Sequence, residues 1–126
     1  MVLGGSGGPK IITAVIQVYL NALFLGMSLF DSVTKPRVHD QLLYRDSIVT
    51  SVEKATLLGS SSKDGKKVDG PILEVPEDTK EALRKRHHVL LDIDYTGCVQ
   101  AILVDHYTNT LSAVSDMRKG GSPAGY

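Results

Sequence analysis

Pro9-Lys10-Ile11-Ile12-Thr13-Ala14-Val15-Ile16-Gln17-Val18-Tyr19-Leu20-Asn21-Ala22-Leu23-Phe24-Leu25-Gly26 is the stretch on which the reading of the fold turns. Proline suits the first position of a helix, where its missing N–H has no intrahelical partner to lose. After Lys10, as far as Leu25, only Thr13, Gln17 and Asn21 interrupt an apolar run. They recur every four residues, so a helix gathers them into one narrow polar stripe and is apolar around the rest of its circumference. Gly26 then suits a C-cap. Sixteen residues at about 1.5 Å per residue span roughly 24 Å, short of the ~30 Å hydrocarbon core of a bilayer. The stretch therefore predicts a buried core helix and no membrane segment.

Upstream stands Met1-Val2-Leu3-Gly4-Gly5-Ser6-Gly7-Gly8. The three apolar residues are a candidate strand end, and the glycines a tight turn or a flexible linker. A strand needs neighbours, and none precedes Met1. On this ground the chain resembles an excerpt from a larger domain. The glycines fit neither phosphate-binding fingerprint. Lys10 follows proline and lacks a Ser or Thr after it, and the G-x-G-x-x-G frame from Gly5 ends on Lys10. Two glycines before a helix can instead turn backbone N–H groups toward an anion, and aimed at a developing alkoxide they form an oxyanion hole. A plain strand-to-helix turn is the alternative.

Downstream, Ser28 caps a short helix from Leu29 to Thr34, halted by Pro36. Arg37–Leu43 is expected to be extended and Ile48–Val52 a short strand. Residues 59–71 carry no apolar periodicity and predict a flexible loop. Pro76 opens a helix with Glu77 and Asp78 in its first turn and Arg84, Lys85 and Arg86 in its last, matching the helix dipole, with Glu81 and Lys85 paired. Val89–Ile93, Cys98–Val104 and Thr110–Val114 read as strands, the last two as a hairpin across His106–Asn109. Their nearly continuous apolar character predicts burial on both faces, with helices covering the sheet. The class is α+β.

Other chemical constellations fail on spacing. His39, His87, His88 and His106 form no zinc pattern. His87 and His88 end a helix, where a cation is favourable in any case. Asp92 and Asp94 share a strand face as an acid pair or, more simply, as a solvated edge paired with Lys or Arg. Cys98, the single cysteine, rules out an intrachain disulfide and reads as an inert core residue. The polar C-terminus reads by default as a mobile tail.

Three stretches together carry a family resemblance. They are Gly7-Gly8 before the Ile-rich helix, Pro36-Arg37-Val38-His39-Asp40-Gln41-Leu42-Leu43, and Ser115-Asp116-Met117-Arg118-Lys119-Gly120-Gly121-Ser122-Pro123-Ala124-Gly125-Tyr126. In this order they resemble the gamma-glutamyltransferase (glutathione hydrolase) family, in the later part of its small subunit. The resemblance implies a partial N-terminal-nucleophile hydrolase fold, an αββα sandwich, with residues 1–126 as a single incomplete domain. It implies glutathione or another gamma-glutamyl compound as substrate, attacked by an N-terminal threonine whose own amine is the base. Gly7 and Gly8 match the family's oxyanion-hole glycines. No metal or organic cofactor is implied.

The departures are equally specific. The family nucleophile sits in a Thr-x-His setting, and none of Thr13, Thr34, Thr50, Thr56, Thr79, Thr96, Thr108 or Thr110 has His two residues on. The family's substrate-gripping acidic, Asn and paired Ser residues lie upstream of the matching region, and Ser6 is not that pair. Tyr44 replaces a usual proline, and 59–71 resembles an insertion. The leading expectation is a truncated enzyme, inactive alone for want of its nucleophile. The alternatives are a non-catalytic module docking on a large-subunit-like partner through uncovered strands, and a free-standing anion-binding domain.

Composition bounds these readings. A chain of 126 residues can bury roughly two-thirds of its unfolded surface. With 42% apolar and 22% charged residues it is globular. Fourteen basic against fourteen acidic side chains give no accumulated charge to favour nucleic acid or an anionic membrane. No compartment is legible, although the family resemblance implies a membrane-attached extracellular, periplasmic or vacuolar setting.

Overall fold

The computed structural model describes residues 1–42, 48–58 and 69–125. The element order is β1 (Val2–Ser6), α1 (Lys10–Leu23), α2 (Leu29–Thr34), β2 (Val38–His39), β3 (Thr50–Leu58), β4 (Asp69–Glu74), α3 (Glu77–Arg84), β5 (Leu90–Ile93), β6 (Cys98–Asp105) and β7 (Thr110–Val114). They fall into two compact units. One is Met1–Lys35 with the stretch from Gly97 onward, and the other is Pro36–Thr96.

In the first unit β6 lies between β1 and β7, antiparallel to both. The expected β6–β7 hairpin is present. The expected glycine turn is narrower than the sequence suggested, because β1 continues through Gly4, Gly5 and Ser6. Its neighbour comes from downstream, with Val2 opposite Ile102 and Ser6 opposite Cys98. Close approach explains glycine inside a strand. A Cβ on Gly5 would stand 3.0 Å from the Cys98 carbonyl oxygen and 3.2 Å from a Val15 methyl of α1.

Alternation along these strands separates two faces. Leu3, Val99, Ala101, Leu103 and Val114 face Ala14 and Val18 of α1 and Leu29 and Val33 of α2, and this is the core. Val2, Ile102, Val104 and Leu111 share the opposite face and are exposed. Helices thus cover one face of this sheet, correcting the expectation of two.

The core-helix expectation also needs correcting. In α1 only Ala14 and Val18 are buried, whereas Ile12, Ile16, Tyr19, Leu20 and Leu23 form an exposed face, Ile12 with 68% of its surface accessible. The helix buries its smaller apolar residues and shows its larger ones. Helix α1 ends at Leu23, with Gly26 at φ +65° in the exit turn. The predicted Ser28 cap is present, its Oγ accepting from the Asp31 N–H at 3.0 Å.

The residues after β7 are pinned at their start, contrary to the mobile-tail expectation. Asp116 and Arg118 form a buried ion pair at 2.9 Å. Val99 N–H donates to Asp116 Oδ2 at 2.8 Å, and the Arg118 guanidinium donates to the Val33 and Lys35 carbonyls at 3.2 and 2.9 Å. Those carbonyls lie at the C-terminal end of α2, where helical carbonyls lack intrahelical partners.

The second unit is organised around β3. β2 pairs with its start in antiparallel register, β5 runs parallel to the same residues, and β4 pairs antiparallel with Lys54–Leu58. β3 runs well past the expected Val52, and β4 begins at Asp69, inside the expected loop; residues 59–68 of that loop and Tyr44 lie outside the described residues. Polar residues hid both strands. Glu53 is fully buried, yet its carboxylate accepts from the Arg37 N–H at 3.0 Å and from Thr96 Oγ1 at 2.9 Å. The expected extension over Arg37–Leu43 reduces to Val38–His39, and Leu42 turns at φ +68°. Leu43 lies outside the described residues. α3 follows Pro76 as expected and buries Lys80, whose ammonium donates to Glu74 at 2.9 Å.

Removing one member of a buried pair strands the other's charge. Asp116→Ala is expected to destabilise the fold by about 3–5 kcal/mol in urea unfolding. The carboxyls of Asp40, Glu74 and Glu77 are held below their ordinary values, chiefly by hydrogen bonds from Thr50, Lys80 and Arg84 respectively. A depressed folded-state value contributes stability above the unfolded value and loses it on acidification. Thermal melts should therefore weaken progressively as pH falls through about 4 and below, and less steeply in Glu74→Gln.

Candidate functional site

β1 hands the chain to α1 across Gly7-Gly8-Pro9. Gly7 has φ +139° and Gly8 φ +61°, backbone that glycine adopts without the penalty of a Cβ. Ile11 N–H donates back to the Gly8 carbonyl at 3.1 Å, closing the first turn. Gly7 is half-buried and Gly8 exposed, so the backbone here is open to a ligand. The turn has a firm base, since five consecutive residues of β1 pair with β6 immediately before it.

Three side chains gather beside the turn that sequence reasoning did not bring together. Ser6 Oγ lies 3.1 Å from Cys98 Sγ and accepts from Lys119 Nζ at 2.9 Å. Cys98 is buried as expected and forms no disulfide. A cavity of about 400 Å³ opens along Gly4, Gly5, Ser6, Cys98, Gln100 and Lys119. Lys119 thus places a cation within a few ångströms of Ser6, the last residue of the strand that precedes Gly7-Gly8. The available sequence signal was the Asp116-x-Arg118-Lys119 spacing, but its meaning depends on a fold that buries Asp116 and Arg118 and leaves Lys119 outward.

The remaining candidates lie elsewhere. Asp92 is exposed and faces Lys54 at 3.8 Å, and Asp94 is exposed just past β5, as the solvated-edge alternative anticipated. His106 is exposed at the β6–β7 turn, and His39 Nε2 lies 2.9 Å from Gln41 Oε1. His88 follows α3 and meets Thr50 and Asp40. Among the described residues, no three His, Cys, Asp or Glu side chains cluster to hold a metal. No described helix is long and apolar enough to cross a membrane.

The sequence model of the family described as gamma-glutamyltranspeptidase matches residues 1–126. The chain belongs to the gamma-glutamyltranspeptidase family. It is 36% identical to glutathione hydrolase 2 of Arabidopsis thaliana over 98% of its own length, and 31% identical to glutathione hydrolase 3 of the same plant over 97%. It spans only 20% and 21% of those two proteins. Among solved structures it resembles gamma-glutamyltranspeptidase from Pseudomonas nitroreducens complexed with L-DON, with TM-score 0.70 and 28% identity, covering 99% of this chain and 54% of that one. It also resembles an acivicin-inhibited gamma-glutamyltranspeptidase, whose C-terminus has critical roles in autoprocessing and catalysis, at TM-score 0.68 and 28% identity, covering 94% of this chain and 53% of that one. The mixed helix–sheet fold is thus the N-terminal-nucleophile hydrolase fold of these enzymes.

Within this family member the glycine turn is conformationally constrained but not crowded. A Cβ on Gly8 would meet no atom within 4 Å, so its only penalty is the left-handed backbone. Gly8→Ala is expected to cost about 1–2 kcal/mol in chemical unfolding, with the native circular dichroism retained.

Proposed function

We propose that this chain supplies the oxyanion-stabilising turn of an enzyme that cleaves or transfers gamma-glutamyl groups, glutathione being the first substrate to test. The observation that carries this reading is Gly7-Gly8 itself, an accessible positive-φ backbone pair fixed between a paired strand and a helix. When a nucleophile attacks the gamma-glutamyl amide, its carbonyl oxygen becomes an alkoxide. Backbone N–H groups held rigidly toward that oxygen favour the transition state over the neutral amide, because they need no reorganisation as charge develops. The nucleophile would be a threonine hydroxyl, forming an acyl-enzyme that water or an acceptor amine then resolves. Lys119, beside the same strand, would attract an anionic part of the substrate.

No threonine of this chain stands two residues before a histidine. The reading therefore assigns the nucleophile to sequence outside this chain and gives the chain no turnover alone. The test uses the purified chain with a gamma-glutamyl anilide, alone and mixed with a partner that supplies a large-subunit-like portion and a segment with an N-terminal Thr-x-His. The expected result is release of the aniline only in the mixture, and turnover by the chain alone would overturn the assignment. In the active mixture Gly8→Ala, by displacing the donors, should lower kcat by about 10²-fold.

A second reading, a docking module without chemistry of its own, is favoured by the uncovered apolar surfaces of α1 and of the β1–β6–β7 sheet. It predicts stable co-elution with such a partner and no gain of turnover in the complex. A monodisperse monomer that ignores the partner in size-exclusion chromatography would count against it.

A further inference from the structure

A cluster outside the glycine site joins three segments of the second unit. Asp40 follows β2, Thr50 opens β3, and His88 precedes β5. The Thr50 hydroxyl donates to Asp40 Oδ2, and Thr50 Oγ1 lies 2.7 Å from His88 Nδ1. Asp40 Oδ2 is also 3.4 Å from His88 Nδ1. Asp40 Oδ1 accepts from the Leu42 N–H at 2.8 Å, and Thr50 N–H donates to the Val89 carbonyl at 2.8 Å. Thr50 is 2% exposed, so water does not compete for its hydroxyl, whereas about a third of the side-chain surface of Asp40 and of His88 is accessible.

A count of protons fixes the direction of these bonds. A hydroxyl has one proton, and a carboxylate can only accept. Asp40 remains ionised at neutral pH, since the Thr50 hydroxyl, the Leu42 N–H and His88 all favour its charged form. The Thr50 proton is therefore committed to Asp40, and its oxygen is left to accept. His88 must then carry hydrogen on Nδ1, or two lone pairs would face each other at 2.7 Å. Only Nε2 is left to gain or lose a proton.

We infer that Asp40, Thr50 and His88 form a proton-operated clasp, which pins the end of β2 and the start of β3 to β5 and is tightest while the His88 ring is cationic. Nε2 protonation adds attraction to the Asp40 carboxylate without changing a single hydrogen-bond direction, so the clasp strengthens without rearranging. The sign follows. The ionic hold exists only while the His88 ring carries both protons and Asp40 carries none, and losing either condition leaves the hydrogen bonds alone. Among the described residues, the charged group facing His88 across the cluster is Asp40. β3 offers the neutral Thr50, and β5 begins with the apolar Leu90 and Leu91. From α3, Leu83 offers only its carbonyl, and Arg86 turns back to the Ala82 carbonyl. Lys54 and Asp92, further along the β3–β5 pair, face each other at 3.8 Å.

The test reads the tautomer and the clasp separately on the full chain. Ring ¹H–¹⁵N correlation spectra at about pH 8, where an ordinary histidine ring is neutral, should show the His88 proton on Nδ1. A proton on Nε2 would overturn the inference. Hydrogen-exchange protection of the Thr50 amide, corrected for intrinsic rate, should rise several-fold from about pH 8 to about pH 5. The rise should vanish in His88→Gln and in Asp40→Asn. An equal rise in those variants would also overturn it. If either variant fails to fold, the wild-type tautomer still decides.

Discussion

Asp116 and Arg118 are charges without access to water, and the first unit is arranged around satisfying them. An isolated carboxylate or guanidinium in such a place would cost several kcal/mol. Here both carboxylate oxygens and both terminal nitrogens of the guanidinium have partners. One carboxylate oxygen takes the Val99 N–H at the start of β6, and the other takes the Arg118 guanidinium and backbone N–H. The guanidinium also reaches the Val33 and Lys35 carbonyls, where a helix carries partial negative charge and lacks internal donors. One ion pair thus joins a strand start, a helix end and the chain after β7. Because the backbone is fixed at residue 118, the next side chain, Lys119, has a definite place over Ser6. The cation beside the glycine turn is a consequence of the buried pair.

The sequence disclosed most where one local rule acted alone. Ser28 could cap α2, Pro76 could open α3, and Thr110–Val114 could fold back on Cys98–Val104 without help from distant residues. It disclosed less where a distant neighbour decided the outcome. Gly4 and Gly5 resemble a turn because glycine is a poor strand former. They are strand because β6 supplies the hydrogen bonds and α1 passes too near for any side chain at Gly5. Glu53 and Lys54 break the alternation that marks a strand. β3 nevertheless continues through them, since Arg37 and Thr96 satisfy the buried Glu53 carboxylate and Lys54 pairs with Glu74 across β4.

The glycine pair was legible because positive φ is a property of the residue type, but its surroundings were not. Lys119 and Ser6 are 113 positions apart, and Asp40, Thr50 and His88 span most of the second unit's sequence. No periodicity links such residues. Only strand register does, and register depends on which face each strand buries. The C-terminal charges look like an ordinary solvated tail until the fold removes two of the three from water.

The apolar run of α1 and the apolar strands both predicted complete burial, and both are half covered. Hydrophobic pattern records every surface a segment can bury, not the partner that buries it. On β1 the two kinds of surface alternate by residue. Leu3 and Gly5 face the helices, while Val2, Gly4 and Ser6 face the uncovered side, together with Gln100 and Ile102 of β6. The cavity at Ser6 and Lys119 opens on that same side. Whatever covers the exposed sheet face would therefore also wall the cavity along Gly4, Gly5, Ser6 and Lys119. At about 25 cal/mol per Å² of apolar surface removed from water, such covering is favourable in its own right. The apolar surface that drives such covering and the wall of the cavity beside Ser6 and Lys119 are in this way one face of the sheet.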